Sequence, residues 1–210
     1  MTSPTRLTDK ARLAWHIAGS LRDFWSSELN RAVVELVDPQ PGEVVLDLGA
    51  GLGPASVQAA PLVTPHGRVI AVDPSRAMRG ALRLRRRGHR DLEAIEVTAG
   101  TAESLPVAAT SVNALWAVNA THHFADLDRF AAELARVLRP GGRVVLVEED
   151  LSHPGHPFAM VAGQGHHGPR AIDVDALLAT FASAGLEHNS STYRPLASVP
   201  ATVITARKPE

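Results

Sequence analysis

The sequence contains no cysteine among its 210 residues. Disulfide bonds, thiolate zinc sites and a cysteine nucleophile are therefore excluded. An excess of either charge is also missing, because 21 Lys and Arg residues face 22 Asp and Glu residues and the formal net charge is −1. Proteins that bind nucleic acids usually carry a strongly basic balance, so the composition argues against a nucleic-acid partner.

Long apolar runs are absent as well. No stretch approaches the roughly 18 consecutive apolar residues of a membrane-spanning helix. The first residues, MTSPTRLTDKARLAWH, carry charges where a signal peptide would need an apolar run. We therefore expect a soluble, cytoplasmic protein without a membrane partner. Its hydrophobic content of 45% is enough for a sizeable core, and its length fits a single domain.

Short apolar runs alternate with helical patterns from residue 44 onward. The alternation predicts βαβ units and hence a Rossmann-like, three-layer α/β sandwich with a mostly parallel sheet. The predicted strands are Val44–Leu48, Arg68–Val72, Leu92–Val97, Val112–Val118 and Arg143–Val147. The predicted helices between them are Pro54–Val63, Ser75–Arg87 and Asp126–Leu138, and the Arg139–Gly142 segment reads as a turn.

Further elements flank this alternating region. One or two helices are predicted over Thr8–Leu36, and a helix capped by Asp173 precedes two late strands, Glu187–Tyr193 and Thr202–Arg207. The single domain 1–210 then divides into an N-terminal helical cap (1–40), a core that carries the ligand motifs (41–150), a loop or lid (151–172), and a closing helix and strands (173–210).

A glycine-rich turn, Gly49-Ala50-Gly51-Leu52-Gly53, follows the first predicted strand and opens a helix at Pro54. Glycines permit a positive φ and let a ligand lie against bare backbone. The helix N-terminus that follows offers unpaired N–H groups. By itself the pattern also fits a turn with a purely structural role.

An acidic residue, Asp73, stands about 20 residues after the glycine turn, at the end of the second predicted strand. A carboxylate at that position can accept the hydroxyls of an adenosine ribose. It could instead cap the next helix in the sequence Asp-Pro-Ser. Together with the glycine turn, it favours a nucleoside-containing ligand.

The spacing of the glycines bears on which nucleoside is bound. Dinucleotide sites ask for G-x-G-x-x-G/A, whereas here the pattern is G-x-G-x-G, followed by Pro54 and preceded by Asp47. An acid so close to the turn would repel a pyrophosphate but suits a ligand with an ammonium and a sulfonium group. The charge argument favours S-adenosylmethionine over NAD.

Four segments in the right order, LDLGAGLGPAS, VIAVDPSRAM, GTAESLPVAATSVNALWAVNATHHF and ELARVLRPGGRVVLVEED, resemble the successive motifs of class I S-adenosylmethionine-dependent methyltransferases. The resemblance covers about residues 44–150 and is closest to the small-molecule branch that includes the ubiquinone/menaquinone-biosynthesis C-methyltransferases. It implies a seven-stranded sheet with an antiparallel last strand, S-adenosyl-L-methionine as cofactor, and methyl transfer to a small-molecule acceptor.

The resemblance also implies a set of cofactor contacts. The glycine turn would line the methionine and ribose end, Asp47 would bind the amino group directly or through water, and Asp73 would bind the ribose hydroxyls. Pro74, Ser75 and Met78 would flank the adenine. Asn119, just beyond the fourth strand, would approach the methionine part of the cofactor. The full set is Asp47, Gly49, Ala50, Gly51, Gly53, Asp73, Pro74, Ser75, Met78, Thr101, Ala102, Glu103 and Asn119.

Thr101 departs from the family pattern, which usually has an aspartate there to accept a bond from the adenine amino group. Its hydroxyl can accept the bond but carries no charge, while the Ala102 N–H can still reach the ring. The departure keeps open a second hypothesis, a protein that binds S-adenosylmethionine or S-adenosylhomocysteine without transferring a methyl group, as a sensor or partner. An NAD-dependent enzyme on a similar fold is a third.

Candidate bases must lie at the carboxyl edge of the sheet, where ligands bind in open α/β folds. His122 and His123 follow the fourth strand, and Glu149 leaves the fifth strand between Glu148 and Asp150. A neutral imidazole suits proton removal near neutral pH, although these histidines could instead be structural or face the cofactor. For the three acidic residues, a solvated rim is the favoured interpretation, and a base or substrate contact is the alternative.

The remaining polar clusters predict little chemistry. Four histidines fall on the loop Leu151–Arg170 without fixed spacing, so no metal site is predicted, and the loop reads as a lid over the acceptor pocket. The arginine-rich segment Arg76–Arg90 reads as a solvated surface, with an acidic partner as the minority hypothesis.

Asn119 is not followed by the Pro-Pro-aromatic sequence of base and amide N-methyltransferases. The acceptor is therefore expected to be a small molecule methylated at oxygen, nitrogen or carbon; a homodimer stays open.

Overall fold

Seven strands form one sheet in the computed structural model, which describes residues 27–154 and 172–210. The strands are β1 (Val44–Leu48), β2 (Arg68–Val72), β3 (Ile95–Thr98), β4 (Val112–Val118), β5 (Leu138–Glu149), β6 (Glu187–Leu196) and β7 (Val199–Arg207). The helices are α1 (Ser27–Val37), α2 (Pro54–Val63), α3 (Arg76–Arg86), α4 (Leu127–Val137) and α5 (Val174–Ser183). Short 3₁₀ turns lie at Arg90–Leu92 and Thr121–His123.

The strands lie in the order β3-β2-β1-β4-β5-β7-β6. The pairs from β3 to β5 are parallel, whereas β7 runs antiparallel to both β5 and β6. The chain thus has the mostly parallel seven-stranded sheet with an antiparallel last strand, and the predicted Rossmann-like fold is confirmed.

Helices cover both faces of the sheet. On one face, Leu29 and Val33 of α1 and Ala59 of α2 pack in a cluster that includes Trp116 of β4. On the other face, side chains of α4 and α5 pack against the sheet in a second cluster that includes Leu134 and Phe181. Because the central strands are buried from both sides, their sequences are continuously apolar rather than alternating.

Several predicted boundaries are wrong. Strand β6 ends at Leu196 rather than Tyr193, and β7 begins at Val199 rather than Thr202. Strand β3 begins at Ile95 rather than Leu92, because Leu92 belongs to a 3₁₀ turn whose buried side chain mimics a strand residue. The predicted Arg139–Gly142 turn lies within β5, since Leu138 already pairs with Val112 before a register shift brings Arg143 opposite Ala114. The segment nevertheless keeps a turn at Gly141, whose φ is +70° and whose N–H donates to the carbonyls of Lys208 and Pro209 beyond β7.

Some predictions fall on residues that the structure does not describe. Of the predicted N-terminal cap, the described part is α1 and the segment after it; residues 1–26 lie outside the described residues. Residues 155–171, most of the predicted lid and three of its four histidines, lie outside as well. In the part that is described, no helix has the length and apolar character needed to cross a membrane.

Candidate functional site

The strand order reverses direction between β1 and β4. In open α/β sheets, ligands bind in the crevice at such a switch point, beyond the carboxyl ends of the strands. The glycine turn follows β1, and the Thr121–His123 turn follows β4. The topology therefore brings the two predicted groups of site residues, cofactor contacts and candidate bases, to one edge of the sheet.

The glycine turn has the backbone conformation that its sequence predicts. Gly49, Gly51 and Gly53 have φ values of +72°, +54° and +72°. The N–H groups of Gly49 and Ala50 both donate to the Val72 carbonyl, at 2.8 and 3.0 Å, which fastens the turn to the end of β2. A Cβ atom at Gly49 would lie 2.7 Å from the Cβ of Ala120, so the turn touches the chain that leaves β4.

Asp73 fastens the same turn from the side. Its Oδ2 accepts the Gly51 N–H at 2.8 Å and its Oδ1 accepts the Ser75 N–H at 2.7 Å, with 8% of the residue exposed. Helix α3 is capped by Ser75, whose Oγ accepts the Met78 N–H at 3.4 Å. Ser75 and not Asp73 is therefore the residue that caps this helix, so the capping alternative does not explain the aspartate at position 73. Each carboxylate oxygen can accept a second hydrogen bond, which leaves capacity for two ligand hydroxyls.

Asp47 lies beneath the turn and is only 3% exposed. Its Oδ2 accepts the Ser56 hydroxyl at 2.6 Å. Burial raises the pKa of Asp47 to about 6, against the opposing effects of Ser56 and the indole N–H of Trp116, and the charge of Asp73 raises it further. The Trp116 N–H is buried without a hydrogen bond of normal geometry to any described residue, so it acts on the carboxylate from slightly farther away.

The segment around Thr101 forms a tight turn in which Thr101 bridges to Ser104. The Glu103 carboxylate accepts the Ala125 N–H at 2.7 Å, and the Thr101 hydroxyl also lowers its pKa. Burial alone would raise the pKa of Glu103, but these hydrogen bonds outweigh it and the pKa lies below its usual value. Glu103, which the sequence analysis groups with the cofactor contacts, thus also joins this turn to the loop before α4.

Asn119 and Glu149 hold the ends of β4 and β5 together. The Asn119 side-chain amide donates to Glu149 Oε1 at 2.5 Å, and the Glu149 backbone N–H donates to Asn119 Oδ1 at 2.9 Å. Asn119 adopts a φ of +52°, which turns the chain sharply as it leaves β4. The reciprocal bonds explain why an amide side chain stands at this position.

His122 and Glu148 form a second pair across the same two strands. His122 Nδ1 lies 2.8 Å from Glu148 Oε2, and Glu148 Oε1 accepts the Thr121 N–H at 2.6 Å. Both side chains are 13% exposed, and the His123 ring centroid is 4.0 Å from that of His122. The solvated acidic rim is therefore the wrong interpretation of Glu148 and Glu149. Asp150 is also engaged, with Ser152 and the Tyr193 hydroxyl.

Sequence reasoning missed the partners of these residues more than the residues themselves. His122 was a candidate from its position after β4, but nothing local to either residue indicated that Glu148 would face it across 26 positions of sequence. Ser56 is a further omission, detectable only as a small polar residue on the inner face of α2. Across residues 27–154 and 172–210, no three His, Asp or Glu side chains are grouped so as to hold a metal ion.

The predicted solvated surface describes part of the arginine-rich segment, because Arg76, Arg83, Arg87 and Arg90 are exposed and the other arginines are half-buried. Arg79 donates to the Asp73 carbonyl at 2.7 Å and Arg85 donates to the Leu52 carbonyl at 3.1 Å. Arg83 and Arg86 likewise donate to backbone carbonyls of β3. These side chains lie back toward the sheet, because their guanidinium groups reach carbonyls in the turns beyond β1 and β2 and on β3, the edge strand. Two of them thereby support the backbone of the candidate site.

Comparison with known proteins places this geometry in context. The family model described as a methyltransferase domain matches residues 46–146. A demethylmenaquinone methyltransferase of Thermobifida fusca is 40% identical over 139 residues, which are 64% of this chain and 55% of that protein. An arsenite methyltransferase of Halobacterium salinarum is 40% identical over 156 residues, 70% of this chain and 38% of that protein.

Among solved structures, an S-adenosylmethionine-dependent methyltransferase from Aquifex aeolicus superimposes with a TM-score of 0.68 at 17% identity, covering 85% of this chain and 88% of that one. This likeness concerns the fold. The chain spans from a third to just over half of the length of the first curated relatives that it matches.

Proposed function

We propose that this chain, whose residues 46–146 match the methyltransferase-domain family model, is a class I methyltransferase that transfers the methyl group of S-adenosylmethionine to a small-molecule acceptor. The observation that carries the proposal is the glycine turn held between Asp73, Asp47 and the end of β4. The glycines of this turn leave its backbone uncovered by side chains. The turn is held by Asp73 on one side and Ala120 on the other, and it lies at the switch point of the sheet.

The charges around the turn match this ligand. Two aspartates, one beneath the turn and one beside it, favour a ligand with positive groups. S-adenosylmethionine carries an ammonium and a sulfonium, whereas the pyrophosphate of NAD is negative. When bound, the cofactor supplies an electrophilic methyl carbon, and the protein contributes position and electrostatics.

The individual roles follow from the geometry of each contact. Asp73 would hold the ribose hydroxyls with its remaining acceptor capacity. Asp47 is too deeply buried for broad contact, so we propose that it acts on the amino group through a water molecule and on the turn through Ser56. Pro74, Ser75 and Met78, at the start of α3, would flank the adenine, whose edge would meet Thr101 and the Ala102 N–H.

Three residues at the edge of β4 and β5 are candidates for chemistry. His122 and His123 lie in the turn after β4, and Glu149 holds Asn119. Both the carboxylate and the backbone N–H of Glu149 bond to Asn119. We therefore propose that this pair holds the backbone beneath the methionine part of the cofactor in place. Proton transfer is then left to the histidines.

The acceptor class is proposed from the relatives. The named relatives of this chain include a demethylmenaquinone methyltransferase and a nocamycin O-methyltransferase, both of which act on small organic molecules by name. A second candidate, binding of the cofactor without methyl transfer, is favoured by Thr101, whose hydroxyl provides no charge. Transfer of labelled methyl from S-adenosylmethionine to any acceptor would eliminate this second candidate.

Calorimetry with S-adenosylhomocysteine tests the cofactor assignment. Wild type is expected to bind S-adenosylhomocysteine and not NAD. Asp73→Ala is expected to weaken the affinity by about 100-fold or more, because two hydrogen bonds to a charged group contribute about 1.5–3 kcal/mol each. The matched control is Asp91→Ala, an exposed carboxylate in the turn before β3.

Unfolding curves without ligand establish that both variants fold. Binding of NAD but not S-adenosylhomocysteine by wild type would contradict the proposed function. Equal affinity in Asp73→Ala and wild type would contradict only the ribose role of Asp73.

A further inference from the structure

The His122–Glu148 pair lies against the proposed cofactor turn. Ala120, two residues before His122, is the residue whose Cβ meets the Gly49 position at 2.7 Å. The 3₁₀ turn Thr121–His123 therefore begins directly after the contact between Gly49 and Ala120. His122 thus lies two residues from this contact, and its hydrogen-bond partner, Glu148, comes from β5.

Glu148 determines which nitrogen of His122 carries the proton. One carboxylate oxygen accepts the Thr121 N–H, a donor that cannot change its role. The other oxygen lies 2.8 Å from Nδ1, and an ionised carboxylate can only accept. Neutral His122 must then be protonated at Nδ1, which leaves the lone pair of Nε2 free of any partner among the described residues.

We propose that His122 is the general base of methyl transfer and that Glu148 is its positioning residue. The proposal rests on the proposed function, because it needs a methyl donor at the glycine turn. A carboxylate that orients an imidazole and stabilises its protonated form is an effective arrangement for proton removal near neutral pH.

Methyl transfer with His122 as the base moves one proton and one methyl group. The acceptor heteroatom or carbon loses its proton to Nε2 of His122 and uses the released electron pair to bond the methyl carbon. The bond between that carbon and sulfur breaks, and its electron pair stays on sulfur, which becomes a neutral thioether. The imidazolium formed is paired with the Glu148 carboxylate.

This arrangement narrows the acceptor to a group that must lose a proton to become nucleophilic, such as a phenolic or enolic hydroxyl or an acidic carbon. A neutral amine already has a free electron pair and gains much less from a base. We therefore infer a hydroxyl or carbon acid as the methyl acceptor.

Glu148→Gln is an unusually sharp test because of the Thr121 N–H. The amide oxygen of the glutamine must face that donor, so its NH₂ group faces Nδ1 of His122. Nδ1 must then accept, and the proton moves to Nε2, which removes the lone pair needed by a base. The size and polarity of the side chain stay nearly the same.

Nitrogen-15 NMR of the imidazole reads the tautomer directly, without an acceptor. Wild type is expected to show His122 protonated at Nδ1, and Glu148→Gln is expected to show it protonated at Nε2. Glu43→Gln is the matched control, since Glu43 also accepts a backbone N–H and a side-chain bond but lies at the opposite edge of the sheet. An Nε2-protonated ring in wild type would overturn the proposal.

Adding S-adenosylhomocysteine tests the proposed function and the role of His122 separately. If the proposed function holds, the backbone N–H signal of Gly51 shifts on addition; if it does not shift, that function fails. Where the Gly51 signal shifts, the His122 ring signals are expected to shift as well. Ring signals that stay unchanged would place His122 away from the transfer site and overturn the further inference alone.

Turnover with phenol and with aniline tests the acceptor class. Phenol methylation is expected, with a loss of about 10²- to 10⁴-fold in Glu148→Gln, the usual range for a general base. The Glu43→Gln control is expected to retain the wild-type rate. Methylation of aniline but not of phenol, or phenol methylation unchanged by Glu148→Gln, would overturn the inference.

Discussion

Asp47 holds a carboxylate in the most buried part of the candidate site. The pKa of this group is raised from 3.8 to about 6, chiefly because burial disfavours the charge. Since the folded-state pKa lies above the unfolded value, the folded protein prefers the protonated form. Asp47 therefore lowers stability above about pH 6, and this penalty disappears as the pH falls below the unfolded value. A buried charge retained at such a cost is typical of functional sites.

Asp47→Asn is expected to stabilise the ligand-free protein near neutral pH. The shift from 3.8 to about 6 corresponds to a gain of up to about 3 kcal/mol above pH 6. The gain should fall to nearly zero at pH values below 4. Urea unfolding across this range measures it, with Asp91→Asn as an exposed control. A variant that is less stable than wild type at neutral pH would contradict the assignment.

At the same scale, Glu148 and Glu149 show how neighbouring carboxylates acquire different roles. Glu148 bonds His122, and Glu149 bonds Asn119. Adjacent residues of a strand point to opposite faces, so the two carboxylates act on different parts of the same loop. Their separate partners leave no shared acidic surface.

At the scale of elements, α3 packs against the sheet with few apolar contacts. Its buried residues are Met78 and Leu82, while four of its arginines bond to backbone carbonyls. Long arginine side chains can cover apolar surface with their stems while the guanidinium groups bond. The helix is therefore attached by its polar side chains as much as by its apolar face.

The glycine turn and α3 also provide a matched pair of substitutions. Gly49→Ala is expected to destabilise by about 2 kcal/mol, because the residue has a φ of +72° and its Cβ would overlap Ala120. Gly80→Ala, in the exposed face of α3 with open space around it, is expected to stabilise by about 0.5–1 kcal/mol.

Thermal and urea unfolding of both variants decide between these opposite signs. Calorimetry should also show weaker S-adenosylhomocysteine binding by Gly49→Ala and unchanged binding by Gly80→Ala. Equal stabilities for the two variants would show that the conformation of the turn is not the determinant.

At the scale of the whole molecule, Arg143 joins three segments at the amino edge of the sheet. From β5 it donates to the carbonyls of Val37 at 2.5 Å and Asp38 at 2.7 Å, where α1 ends. It also makes two bonds to the Glu43 carboxylate, at 2.8 and 2.7 Å, just before β1. Burial raises the pKa of Glu43, but the bonds from Arg143 and the Gln40 N–H outweigh it and the pKa is lowered.

Arg143→Met is expected to lower the free energy of unfolding by about 3–5 kcal/mol, since it leaves Glu43 and two carbonyls without their partner. Because the folded pKa of Glu43 lies below its unfolded value, the pair contributes stability at neutral pH that is lost as the pH falls through the folded pKa. Arg87→Met, at the exposed residue that follows α3, should change stability by less than about 0.5 kcal/mol. A similar small loss in both variants would contradict this role of Arg143.

The sequence by itself determined the central strands and the turn that carries the site. The bounds of β1, β2, β4 and α2 were predicted as observed, because strands buried on both faces are continuous apolar runs. The glycine turn and Asp73 were equally predictable. Each is local to a strand end, where a required φ or a single carboxylate leaves its mark in the residue type.

Only the tertiary structure decided which side chains meet. The pairing of His122 with Glu148 depends on β4 lying beside β5, and the bonds of Arg143 span about a hundred positions of sequence. The inclusion of Arg139–Gly142 in β5 likewise depends on the pairs that Leu138 and Arg143 make with β4 on either side of it. Hydrogen bonds between distant residues follow from strand order and register, which leave no periodicity in the sequence to be recognised.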